Sequence, residues 1–77
     1  MSKLPAITSD KLIKILEVIG FRLDHSSGSH FIFYHHLTKR RAVVPRHSKD
    51  LPKGTTASIL REAGIDKEEI LKALKKR

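Results

Sequence analysis

The sequence predicts an α+β fold: a three-stranded antiparallel sheet with helices packed on one face. Three observations predict it. Apolar residues recur at helical spacing near both ends of the chain. Three short runs rich in aromatic and β-branched residues lie between them. The connections between those runs are too short for a parallel crossover, so neighbouring runs pair antiparallel.

Residues 1–7 read as a short arm containing Pro5. Thr8 or Ser9 suits an N-cap, and Asp10 follows in the first turn, where the helix dipole favours an anion. Leu12, Ile15, Leu16 and Ile19 then form one apolar stripe, and Gly20 is placed to end the helix, which spans 9–19. Residues 21–25 alternate apolar and polar as a half-buried strand does, and residues 26–29 form a turn. Residues 30–35 make the second strand and 41–45 the third, with Pro45 ending its pairing. After a polar loop over 46–54, Thr55 or Thr56 caps a helix through Ala57, Ile59, Leu60 and Ala63, closed by Gly64. Asp66 and Glu69 form a capping box for a last helix, with Ile70, Leu71 and Leu74 inward and Lys72, Lys75, Lys76 and Arg77 outward. The order α-β-β-β-α(-α) has one economical packing, with the helices on one face of the sheet and solvent on the other. That is the layout of a double-stranded-RNA-binding domain, here one domain over residues 1–77.

Alternation along the strands assigns the two faces. Phe31 and Phe33, with Phe21 and Leu23, supply the apolar surface beneath the helices. His30, Ile32, Tyr34 and Arg22 then lie on the open face.

Charge narrows the function. The chain has 16 Lys and Arg against 8 Asp and Glu, a net +8, and most of that excess lies within residues 21–54 together with all five histidines. Such a field favours polyanions: nucleic acid, an acidic protein or anionic lipid. With no cysteine, no apolar signal region and no apolar run approaching a membrane span, the reading is a cytoplasmic domain that meets no membrane. No basic recognition helix in a helix-turn-helix is visible, so direct DNA binding is not expected.

Histidine exchanges protons near neutrality. His25, His35 and His36 read as solvated or locally satisfied side chains. A metal site is not expected, because no histidine falls in a helix, cysteine is absent, and His30 and His35 point to opposite faces of one strand. No cofactor is expected either. His30 stands apart: it follows Gly28-Ser29 at the head of the second strand, on the open face. A glycine there lets a phosphate chain come close. Sequence physics leaves two readings of His30 open, a turn residue without a role and a site residue.

At these positions the chain resembles a known family. Gly28-Ser29-His30 followed by Phe31-Ile32-Phe33, Gly20-Phe21 after the first helix, Val44-Pro45-Arg46-His47 after the third strand, and Lys53-Gly54-Thr55 opening a helix with Ser58-Ile59-Leu60 and Ala63-Gly64-Ile65 resemble, in order and spacing, the HicA family of mRNA interferase toxins. The likeness runs from about Leu4 to Leu74. It implies a double-stranded-RNA-binding-like fold, cleavage of mRNA, and neutralisation by a HicB-type antitoxin. It also implies that the histidine of the Gly-Ser-His motif, His30 here, is catalytic.

RNA carries its own nucleophile in the 2′-OH, so cleavage requires only proton transfer and charge stabilisation. His30 is the candidate general base, or the acid on the other side of the reaction. His47 is the first candidate for the second proton-transfer group, and Tyr34, which could also stack a base, is the next. Arg22, Arg46 and Lys53 are candidate phosphate ligands, and Arg46 could hold two oxygens at once. Gly28 and Ser29 complete the expected RNA-binding set. Two other classes stay open at this point: a non-catalytic binder of structured RNA, and a module that is basic only to meet an acidic protein.

Overall fold

The computed structural model describes residues 6–47 and 49–76. Six elements follow in the expected order: α1 (Ser9–Ile19), β1 (Arg22–Ser27), β2 (His30–Tyr34), β3 (Arg41–Pro45), α2 (Lys53–Ala63) and α3 (Lys67–Lys76). The strands form one antiparallel sheet in the order β1-β2-β3. This is the predicted α+β layout. No helix among the described residues is long and apolar enough to cross a membrane.

Helix α1 begins as its sequence requires. The Thr8 hydroxyl accepts from the Lys11 N–H at 3.2 Å, and Asp10 sits in the first turn. Leu12, Ile15 and Leu16 are fully buried. The Ser9 hydroxyl, itself buried, donates to the Pro45 carbonyl at 2.6 Å and ties the start of α1 to the end of β3. The arm expected over 1–7 lies outside the described residues as far as Pro5. Ile7, however, is 1% exposed, and its carbonyl accepts from the Leu51 N–H at 2.8 Å. Beside it Thr8 makes an isolated antiparallel bridge to Asp50.

The register sets the two faces of the sheet. Phe31 pairs with Val44 and Phe33 with Ala42 on the helix side, while His30 pairs with Pro45, Ile32 with Val43 and Tyr34 with Arg41 on the other. Phe33, Ala42 and Val44 are buried in one core with residues of all three helices, among them Leu12, Ile15, Leu60 and Ile70. A buried phenylalanine such as Phe33 contributes about 1.5–3 kcal/mol.

Five sequence expectations are corrected. Strand β2 ends at Tyr34 rather than 35, because the His35 carbonyl accepts from the Lys39 N–H to close the turn that follows. Strand β1 runs to Ser27 rather than 25, because Gly28-Ser29 alone turns the hairpin and Ser26 and Ser27 still pair with Phe31 and His30. Leu23 does face the helix side opposite Phe33, but it is 54% exposed. Strand β1 is an edge with a bulge between Leu23 and His25, and it is exposed along its whole length because α1 and α2 lie against β3. Helix α2 starts at Lys53, two residues before the expected cap. Pro52, extended at φ −56°, precedes it, and Thr56 turns into the core instead of capping. In α3 Leu71 is partly exposed and Ala73 is buried in its place, which gives the inward stripe Ile70, Ala73 and Leu74.

The capping box of α3 forms as predicted. The Glu69 N–H donates to the Asp66 carboxylate at 2.9 Å, and the Glu69 carboxylate accepts from the Asp66 N–H at 3.3 Å. Asp66→Ala is expected to cost about 1 kcal/mol, which lowers the melting temperature of a chain this small by about 4–8 °C. A thermal melt followed by circular dichroism checks it.

Candidate active-site groove

The site is organised by the hairpin turn. Ser27 and His30 pair across a two-residue loop, and Gly28 takes φ +59° at its first position. A turn with positive φ there favours glycine and matches the twist of the strands. A Cβ at Gly28 would meet nothing within 4 Å, so the turn's backbone geometry alone calls for glycine, and the space above it is open. The Ser29 carbonyl accepts from the Arg46 N–H at 2.7 Å, which carries the β2–β3 pairing one step past Pro45.

His30 therefore stands at the head of β2, exposed, on the face away from the core. Helix α2, packed beside β3, turns that face into a groove of about 580 Å³. The sheet lines it with His30, Val43 and Pro45. The helix and the residue before it line it with Pro52, Gly54, Thr55, Ser58, Ile59 and Glu62. The N-cap residue of α2, Pro52, makes no side-chain cap bond to its first turn. Lys53, between the groove residues Pro52 and Gly54 in sequence, is exposed and is not itself part of the lining.

The other residues singled out in the sequence are placed less centrally. The Arg46 guanidinium lies over the Phe31 ring, 4.9 Å from its centroid, and Phe31 is on the helix side of the sheet. Arg46 thus sits across the sheet end from His30, in a cation–π contact. His47 is exposed on the loop beyond. Its Nδ1 is 3.0 Å from the Lys49 carbonyl and 3.3 Å from the Lys49 N–H, bonding one or the other according to tautomer, and it does not line the groove. Tyr34 is half-buried on the same face as His30, with its ring edge-to-face against His36 at 5.5 Å. Arg22 pairs with Tyr34 and lines a different hollow with Glu17, Gly20 and Leu23.

Residues 9–65 match the family model of the HicA toxin of bacterial toxin-antitoxin systems. The chain belongs to the HicA toxin family. The match spans α1, the sheet with His30, and α2, and it ends before α3. No curated protein matches the chain. Membership of the HicA family makes the chain the toxin of a toxin–antitoxin pair and implies an antitoxin partner.

The sequence reading of this HicA toxin missed the helix side of the groove. Thr55, Ser58 and Glu62 recur at i, i+3 and i+7, a polar stripe beside the apolar one through Thr56, Leu60 and Ala63. That spacing was available in the sequence. What it lacked was the placement of α2 along β3, which turns the stripe toward His30.

Proposed function

We propose that this toxin is an endoribonuclease that cuts mRNA in the cytoplasm without a metal cofactor and is silenced by a HicB-type antitoxin. The observation that carries the reading is His30: an exposed imidazole at a groove wall, on a rigid strand, beside a turn open to solvent. In the reaction the 2′-oxygen attacks the adjacent phosphorus while His30 takes its proton. The bond to the 5′-oxygen breaks, and that oxygen leaves with a proton from a second group. The products are a 2′,3′-cyclic phosphate and a 5′-hydroxyl, and His30 serves equally as the acid if the roles are exchanged.

Lys53, next in sequence to the groove residues Pro52 and Gly54, and the N-terminal turn of α2 supply positive potential at that end of the groove, where the phosphate enters. Arg46 and Arg22 guide the RNA backbone from farther out. His47 is the proposed second proton-transfer group. With its Nδ1 occupied by Lys49, Nε2 is the atom left to meet substrate, and the loop must carry it toward the groove. Tyr34 is the next candidate. The antitoxin silences such a surface by covering His30 and its groove with acidic or backbone groups.

The test is incubation of the purified protein with a long single-stranded RNA in EDTA, beside His30→Ala. Cutting by the wild type alone supports the reading. RNA binding by both without cutting overturns it in favour of a non-catalytic RNA-binding domain. Affinity for single-stranded RNA should fall with salt at a log–log slope of roughly −3, the value for about 4 neutralised phosphates. Filter binding across a salt series measures it.

A further inference from the structure

The groove holds a carboxylate that works against the protein's own charge. Glu62 lines it one helical turn from Ser58, in a chain of net charge +8. Among the described residues neither side chain makes a hydrogen bond or ion pair with another protein group. An ionised carboxylate beside the path of an RNA backbone repels phosphate, and among the described residues this one has no cation to hold in place. Its chemistry suits N–H donors instead, and the N–H donors of RNA are on its bases.

We propose that the groove is a nucleobase subsite for a guanine of single-stranded RNA, with Glu62 as its specificity-determining residue. The inference rests on the reading of the protein as an RNA-binding toxin and adds which base that site selects. Guanine alone among the four RNA bases presents two neighbouring N–H donors, at N1 and N2, to the two oxygens of a carboxylate. Its O6, next along the same edge, accepts from a hydroxyl. Glu62 and Ser58 lie four residues apart on α2, adjacent on one helix face, and present that acceptor–donor order.

The other bases fit worse. Adenine and cytosine each set a ring-nitrogen acceptor beside the amino group, and uracil flanks its single N–H with two carbonyls. Each leaves a lone pair facing the carboxylate, which is a repulsive element against the wrong base. Unpaired RNA bases are read on this edge. The apolar part of the lining, Val43, Pro45 and Ile59, offers a surface for the ring, and about 580 Å³ is ample for a base and its sugar. From Thr55 to Glu62 the helix advances about 10 Å. A nucleotide whose phosphate sits at the mouth of the groove can therefore reach Glu62 with its base.

Two measurements on the full chain test this, with wild type beside Glu62→Gln. The first is binding of RNA trinucleotides that differ only in the central base and carry a 2′-deoxy sugar there, so that they cannot be cut. The second is the distribution of cut sites in an RNA of random sequence. Glu62 is exposed, so the amide variant folds as the wild type does. The wild type should prefer guanine by about tenfold in both measurements. Glu62→Gln, with one donor beside one acceptor, should lose that preference and move toward adenine and cytosine. An unchanged preference in the variant, or no base preference in the wild type, overturns the proposal. The two readings separate cleanly. Glu62-dependent guanine binding without cutting keeps the subsite and removes the nuclease. His30-dependent cutting with the same cut sites in Glu62→Gln keeps the nuclease and removes the subsite.

Discussion

Replacing His30 by alanine is expected to lower cleavage of single-stranded RNA by at least about a hundredfold and to leave folding stability within about 0.5 kcal/mol of wild type. The two halves of this expectation come from the same feature. His30 is exposed, and among the described residues its ring makes no hydrogen bond or aromatic contact, so little of the fold depends on it. In the proposed reaction it is the one imidazole already at the wall of the groove. General acid–base groups contribute about 10²–10⁴-fold, which sets the scale. His30→Gln, which keeps bulk and polarity but cannot exchange a proton near neutrality, should be as inactive as alanine. Residual activity within tenfold of wild type in a well-folded variant would sink the catalytic assignment. His47→Ala tests the second group, and a loss smaller than that of His30→Ala is expected because the loop must bring His47 in.

The elements of the fold were legible because each has a local cause. Thr8, Gly20, Gly28 and the pair Asp66–Glu69 mark boundaries by their own chemistry, and α1, β2 and β3 begin and end where the sequence places them or within one residue. Errors arose where a distant partner decides. Leu23 has the right parity for the core, yet no helix covers β1. Thr56 has the chemistry of a cap, yet the packing of α2 on β3 rotates it inward. Ile7 carries no periodic signal, and only its pairing with Leu51 places it in the core. The site divides in the same way. His30 and its turn are contiguous in sequence and could be read there. The far wall of the groove, with Glu62, comes from a helix more than 20 residues downstream and needs the tertiary structure to be seen.

His35 shows how differently neighbouring histidines are used, and its removal should be the most damaging of the histidine substitutions to stability. Its ring is 8% exposed and meets the Phe21 ring edge-on at 5.0 Å. Its Nδ1 accepts from the N–H groups of Leu37 and Thr38 at 3.2 and 3.3 Å, which holds the β2–β3 loop. The proton must therefore be on Nε2, which donates to the Ile19 carbonyl at 3.3 Å at the end of α1. One imidazole thus links a loop, a helix terminus and the core. Gly20 makes room for it: a Cβ there would come within 2.8 Å of Nε2, at a backbone φ of +121°. His35→Ala leaves three backbone groups without their partner and a gap beside Phe21, for an expected loss of about 2–3 kcal/mol. A core this small supplies on the order of 3–5 kcal/mol, so most of the stability would go, and urea denaturation should show a sharply lowered midpoint. His25→Ala, at an exposed edge where among the described residues the ring bonds only the Asp24 carboxylate, should change stability by less than about 0.5 kcal/mol. If His35 acts only through the fold, activity per folded molecule should be unchanged in His35→Ala at low temperature, whereas His30→Ala stays inactive however stable it is. A His35 variant that is stable but inactive would place His35 in the reaction and contradict the role assigned to it.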